Sequence, residues 1–286
     1  MPARKEEVSS GTSSGGYGPG LAPAWEDFSK CIRCGLCLNA CPTYRELGVE
    51  MDSPRGRIYQ MVQVERGRLP LDQSFVRHMD SCLGCLACET ACPSGVEYHK
   101  LIEAARSQIE RFYKRPPITA LLRRLFLQGL ASPVFLKTAG LMLRWVQRLG
   151  IEAVMRRTAK LFSRRLYNIT RLAPRMDRRF FFEQLGTVAP AEGERRYRVA
   201  FFAGCIANLS FSELNEATVR VLARNGCEVV IPKDQVCCGA LHVHSGVPGT
   251  ARSLGRRNFK AFAELVDGGK LDAIITNAAG CGSVLK

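Results

Sequence analysis

No apolar run in this sequence approaches the roughly 18 uncharged residues that span a bilayer; the best candidate, Leu125 to Trp145, is broken by Lys137 and Arg144. A membrane-crossing chain is therefore not expected. The first twenty residues, MPARKEEVSSGTSSGGYGPG, lack the apolar stretch of a secretory signal, so the default setting is a reducing cytoplasm. No GxGxxG run or other flavin-binding signature occurs, which puts hydride chemistry on another polypeptide. Acid is scarce in the middle: from Arg111 to Arg179 seventeen Lys and Arg are set against Glu152 and Asp177 alone, a surplus equal to the +15 of the whole chain. Such a segment is ordinarily just solvated, yet this lopsidedness also suits an anionic membrane surface or an acidic partner.

What is present suits a globular chain of two domains: 286 residues, 46% of them apolar and 23% charged. Residues 1–20 are Gly- and Ser-rich and read as a flexible tail. Residues 21–115 hold eight cysteines in two clusters that form an internal repeat, CIRCGLCLNACP at 31–42 and CLGCLACETACP at 82–93, with motifs over about 22–51 and 73–102. Between them DSPRGRIYQMVQVERG predicts a helix with Ser53 as N-cap, Pro54 at the first helical position and Gly67 at the end. A second helix is expected from Tyr98 to Tyr113, stopped by Pro116 and Pro117. This domain reads as mainly helical.

Residues 116–190 read as a basic helical connector, in which Met142, Trp145, Val146, Leu149 and Ala153 make one apolar stripe. From 196 to 286 the pattern alternates: RVAFFAG as a strand, Ser212 to Asn225 as a helix closed by Gly226, CEVVIP as a strand, Gly249 to Val266 as a helix and LDAIITN as a strand. That order implies a parallel sheet in an α/β domain. The chain stops at Lys286 without the helix expected next, and reads as truncated.

Thirteen cysteines in a reducing setting favour metal over disulfides. Each N-terminal cluster has the form Cys-x-x-Cys-x-x-Cys-x-x-x-Cys-Pro, the ferredoxin run in which three thiolates wrap one cubane and the fourth reaches the other. One 4Fe-4S cluster is thus assigned to Cys31, Cys34, Cys37 and Cys92, and a second to Cys82, Cys85, Cys88 and Cys41. Tetrahedral zinc is the bland alternative, but it leaves the third cysteine of each run without a purpose. Cys205 and Cys281 each follow a strand and Cys237 and Cys238 are adjacent in CCGALHVH, so all four could meet at one sheet edge as a further metal site, or be ordinary buried thiols. Cys227 reads as core, and His242 and His244 as surface or hydrogen-bonding groups rather than ligands.

CIRCGLCLNACPTYRELGVEMDSPRGRIYQM, CLGCLACETACPSGV and the set GC, CCGALHVH and NAAGCG together resemble the family of glycolate oxidase (glycolate dehydrogenase) iron-sulfur subunits, in the wider CCG-domain group that includes heterodisulfide reductase. The resemblance covers about residues 25–286 and is most specific in DSPRGRI and CCGALH. It implies a dicluster helical ferredoxin domain followed by cysteine-rich CCG domains, with FAD-containing partners that oxidise glycolate to glyoxylate and a quinone or other acceptor. By the same likeness Cys205, Cys237, Cys238 and Cys281 match CCG cysteines that hold a further iron-sulfur or metal site. Two departures stand out: Cys281 is followed by Gly282, Ser283 and Val284 where the family closes with Cys-x-x-Cys, and no second CCG repeat is present.

The expected function is electron transfer, with no catalytic residue on this chain and a cytoplasmic location at most peripheral to the cell membrane. Related proteins serving D-lactate, glycerol 3-phosphate or a disulfide share the cysteine spacing. A zinc-stabilised nucleic-acid-binding protein is the rival from another class; no aromatic-basic motif supports it, and no nucleic-acid partner is expected.

Overall fold

Pro54 opens a helix because its missing N–H is one that no helical carbonyl would meet, and Ser53 Oγ accepts the Gly56 N–H at 2.9 Å. In the computed structural model, which describes residues 16–172, 174–267 and 271–286, this helix is α3, Pro54–Glu65. It follows α1 (Trp25–Ser29) and α2 (Pro42–Leu47), and precedes α4 (Gln73–Ser81), α5 (Ala87–Thr90) and α6 (Tyr98–Phe112). Asp72 caps α4 by accepting from the Phe75 N–H. The chain divides into two units, residues 1–115 with 243–247, and residues 116–242 with 248–286.

The first unit contains no strand among its described residues. Its core joins Phe28 of α1, Met61 of α3, Phe75 and Met79 of α4, and Leu101, Ile102 and Ile109 of α6. Each such side chain contributes about 1.5–3 kcal/mol by leaving water. Cys31, Cys37, Cys82 and Cys92 pack on the edge of this core, so the cysteine loops are built on a rigid base. The first fifteen residues of the expected tail lie outside the described residues. Residues 16–18 depart from that expectation: the Tyr17 N–H meets Glu65 Oε2 at 3.1 Å, the Gly18 N–H meets Gln108 Oε1 at 2.9 Å, and the Tyr17 ring lies beside Phe28.

The second unit opens with α7 (Pro117–Ala131), α8 (Pro133–Arg148), α9 (Ile151–Phe162) and α10 (Arg164–Leu172). Pro117 starts a helix as readily as it stops one. The apolar stripe is corrected in its extent. Gly150, at φ +70°, ends the run before Ala153, and Met142, Trp145 and Leu149 are exposed, so the stripe is a surface and not a core.

Beyond it lie β1 (Val188–Ala189), β2 (Tyr197–Phe202), α11 (Ala207–Ser210), α12 (Ser212–Arg224), β3 (Cys227–Val230), α13 (Ala240–His244), α14 (Pro248–Asp267), β4 (Ala273–Thr276) and α15 (Ala279–Leu285). The strands run in the order β1-β3-β2-β4, with β3 and β4 parallel to β2 and β1 antiparallel at the edge. Two residues of β1 carry too little pattern to be read from sequence. Along β2 the side chains alternate: Val199 and Phe201 pack with Phe181, Val219 and Val229, while Ala200 and Phe202 pack with Phe262. Both faces of the central strand are thus covered, as parallel sheets require. A short helix, α15, does follow the last strand, contrary to the expectation that it would be missing.

Candidate functional site

The two N-terminal cysteine loops repeat in backbone as well as in sequence. Arg33 and Gly35 in the first loop, and Gly84 and Leu86 at the equivalent places in the second, all have φ between 57° and 86°. Glycine takes this left-handed conformation freely, but it costs Arg33 and Leu86 about 1–3 kcal/mol each. The same conformation at matched positions, despite different residues, shows that the fold imposes it. It turns each loop so that its thiols face inward.

Those thiols line two cavities. Cys31, Cys34, Cys37 and Cys92 line one, and Cys41, Cys82, Cys85 and Cys88 line the other. In each, the cysteine before proline joins three from the opposite cluster of the sequence. No carboxylate or imidazole is among the lining residues of either; Arg33 and Arg55 line the first and Arg57 the second. Four thiols, apolar walls and nearby cations make a donor set that fits an anionic thiolate-held 4Fe-4S cluster. Among the described residues no three His, Cys, Asp or Glu side chains close on the position of a single metal ion. Cys34 and Cys85 are exposed, whereas Cys41 and Cys88 are buried. Burial pushes the Cys88 thiol up to about 12, with neighbouring thiolates adding to it. Metal binding there must displace a proton.

A buried polar network backs the second cavity, and spacing gave no sign of it. Arg57, 1% exposed, donates to Thr43 Oγ1 at 3.1 Å, Ser81 Oγ at 2.8 Å, the His78 carbonyl at 2.7 Å and Asp52 Oδ1 at 3.4 Å. Ser81 Oγ donates to Asp52 Oδ1 at 2.7 Å, and His78 Nδ1 lies 3.0 Å from the same oxygen. Thr43 Oγ1 stands 3.2 Å from Cys41 Sγ. Burial pushes the Tyr98 phenol well above its ordinary range, so its hydroxyl stays protonated and donates to Cys82 Sγ at 3.8 Å. Arg106 braces the second loop by donating to the Cys82 and Met79 carbonyls.

In the second unit Cys205 follows β2, Cys237 and Cys238 follow β3, and Cys281 lies in α15 just after β4. All four stand at the carboxyl ends of parallel strands, beside the point where the strand order reverses around β2. Cys205 Sγ and Cys237 Sγ are 3.5 Å apart, and Cys238 Sγ and Cys281 Sγ 3.2 Å. Hydrogen bonding with Cys237 and Cys281 pulls the Cys238 thiol down to about 3, while bonding with Cys205 and then Cys238 raises the Cys237 thiol and bonding with Cys238 raises that of Cys281. The loops are fixed by buried carboxamides that sequence reading missed. Gln235 accepts from the Ala203 N–H and donates to the Phe201 carbonyl; Asn258 accepts from the Val236 N–H and donates to the Cys237 carbonyl; Asn215 donates to the Ala203 carbonyl. Isolated Gln and Asn carry no spacing signal. Cys227 is buried in the core below the sheet. His242 is buried with Nε2 2.9 Å from the Leu127 carbonyl, and His244 Nδ1 lies 3.0 Å from Glu103 Oε1.

Residues 27–96 match the 4Fe-4S dicluster domain family, and residues 199–286 match the cysteine-rich domain family termed CCG. A probable glycolate oxidase iron-sulfur subunit of Bacillus subtilis is 38% identical over 263 residues, which cover 91% of this chain and 58% of that protein. The glycolate oxidase iron-sulfur subunit of Escherichia coli is 32% identical over 265 residues, or 90% of this chain and 57% of its own length. Lactate utilization protein A of Geobacillus kaustophilus is 33% identical over 89 residues, 31% of this chain and 35% of that protein. The chain thus spans less than three-fifths of the length of these two glycolate oxidase subunits. No solved structure matches.

Proposed function

Premised on a multidomain chain that joins a 4Fe-4S dicluster domain to a cysteine-rich CCG domain, we propose that it is the electron-transfer subunit of an oxidoreductase complex of the glycolate dehydrogenase type. It receives electrons from FAD-containing partners that oxidise glycolate to glyoxylate, and delivers them to a quinone or other acceptor. The observation that carries this reading is the pair of cavities, each lined by four thiols drawn from both halves of the repeat. Cys31, Cys34, Cys37 and Cys92 hold one 4Fe-4S cluster, and Cys82, Cys85, Cys88 and Cys41 the other. When bound, such clusters supply one-electron redox chemistry, the form in which a flavin can release a substrate's two electrons. The chain's own part is to hold and shield: strained loops aim the thiols, while Arg57 and the Tyr98 hydroxyl present positive charge and a hydrogen bond to one site.

Cys205, Cys237, Cys238 and Cys281 are assigned a further iron-sulfur cluster or metal, on the support of their contact at the sheet edge. Location is assigned to the cytoplasm, with peripheral contact at the inner face of the membrane. Among the described residues no helix is long and apolar enough to cross a bilayer; α7 and α8 pass that test only as a pair bent by 103°. Val134, Met142 and Trp145 of α8, with Leu149 just after it, instead make an exposed apolar face, with Lys137 and Arg148 on its flank. An apolar face with a basic border suits the headgroup region of an anionic bilayer. The partial likeness to a lactate utilization protein favours a second reading, in which the partner oxidises lactate.

The test mixes purified components. Chain alone should not reduce a dye with glycolate; with the flavoprotein subunits it should restore dye or quinone reduction, and Cys34→Ser should remove that effect while the flavin stays reducible. Glycolate-dependent reduction by the chain alone would defeat the proposal, and restoration by a lactate-oxidising flavoprotein only would select the second reading.

A further inference from the structure

The segment Asp52 to Arg57 sends two arginines to two different cavities. Ser53 and Pro54 fix the first turn of α3, and residues two apart in a helix leave it on nearly opposite sides. Arg55 lines the cavity of Cys31, Cys34, Cys37 and Cys92, and Arg57 that of Cys41, Cys82, Cys85 and Cys88. Their surroundings differ sharply. The Arg55 side chain is 30% exposed, paired with Glu50 Oε1 at 2.7 Å, and donates to the Arg33 carbonyl at 3.1 Å, so its charge is screened while its fork braces the strained first loop. The Arg57 side chain is 1% exposed.

Asp52 is the charge partner of Arg57, but its carboxylate is shared with His78 and Ser81 and does not line the cavity. The link from the cation to the thiols runs through one hydroxyl: Arg57 donates to Thr43 Oγ1 at 3.1 Å, and that oxygen stands 3.2 Å from Cys41 Sγ.

From this we infer that Arg57 raises the reduction potential of the cluster held by Cys41, Cys82, Cys85 and Cys88, whereas Arg55 acts as a positioning residue for the other loop. The inference rests on the two-cluster assignment proposed above. One-electron reduction, with the flavoprotein as donor, adds one negative charge to a cluster and makes or breaks no bond in the protein. Burial of Cys41 and Cys88 opposes that added charge. A buried cation at the same cavity favours it, because water does not screen the attraction and Asp52, shared with His78 and Ser81, offsets it only in part.

The test is a redox titration followed by electron paramagnetic resonance on the whole chain, reconstituted anaerobically and reduced with dithionite. Signals are assigned to sites with Cys34→Ser and Cys85→Ser. The double variant Asp52→Asn with Arg57→Gln leaves no lone buried charge, and Arg57→Lys keeps the cation if the double variant does not fold. The double variant should lower the midpoint of the Cys85 signal by at least one decade in the reduction equilibrium, about 59 mV for one electron, and leave the Cys34 signal in place. Arg57→Lys should retain most of the wild-type midpoint, and Arg55→Gln should leave the Cys85 midpoint unmoved. Two clusters with both midpoints unmoved in the double variant, or moved equally, overturn this inference alone. Fewer than two clusters in the wild-type chain overturns the reading beneath it.

Discussion

Charge braces one set of thiols in this molecule, and neutral amides brace the other. In the helical unit Arg55, Arg57, Asp52 and Arg106 tie the cysteine loops down, and the thiols ring two cavities. In the α/β unit Gln235, Asn258 and Asn215 do the same work without a formal charge, and the four thiols touch each other in pairs at 3.2 and 3.5 Å. Cations suit loops that wrap anionic clusters, since they offset charge that the fold must otherwise bury. Amides satisfy backbone groups at a sheet edge and leave the thiols to set the local charge.

The largest effect expected from this contrast is at Asp52. Replacing it with Ala leaves Arg57 buried without its counter-ion, and should cost about 3–5 kcal/mol in chemical denaturation of the helical unit. In the α/β unit, Asn258→Ala removes bonds to the Val236 N–H and the Cys237 carbonyl and should cost about 1–3 kcal/mol. Equal losses at the two sites would erase the distinction between charge and amide bracing.

Acid should separate the units further. Burial pushes the Asp52 carboxyl up, but hydrogen bonds from His78 and Ser81 and the Arg57 charge outweigh it and hold the group below its ordinary range. A lowered folded pKa means that this stabilisation is complete above the ordinary carboxylate range and is lost as pH falls through the folded value. Denaturation midpoints measured from pH 7 downward should therefore fall in wild type and stay flatter in Asp52→Asn. A parallel fall in both would remove Asp52 as the cause.

The smallest effect is at the surface. Binding of the chain to anionic liposomes should weaken as salt rises, since screening shortens to about 8 Å at physiological ionic strength. Trp145→Ala should weaken what remains at high salt. Binding indifferent to both changes would separate the basic segment from membrane contact.

How much of this was legible in sequence follows from how local each feature is. The two ferredoxin runs, the Ser53 cap and the Pro54 start lie within a few residues of each other, and the structure realises them in α3 and the two loops. The order of strands and helices after 196 was legible for the same reason, since each element carries its own period. Asp52, Arg57 and Tyr98 were not legible as site residues, because nothing in their spacing says that they meet Cys41 and Cys82 in space. The exposure of the α8 face was not legible, because periodicity reports that an apolar stripe exists and not whether anything covers it. Gly150 showed its effect only in the backbone, where its left-handed φ breaks the stripe before Ala153.

The crossing of Cys92 to the opposite cluster is tested by the iron content and resonance spectrum of Cys92→Ser, purified anaerobically beside wild type. Wild type should hold about eight irons in its dicluster domain. Cys92→Ser should lose the signal that depends on Cys34 and keep the one that depends on Cys85, because Cys92 shares a cavity with Cys31, Cys34 and Cys37. Loss of the Cys85-dependent signal instead, or zinc in place of iron after reconstitution, would contradict it.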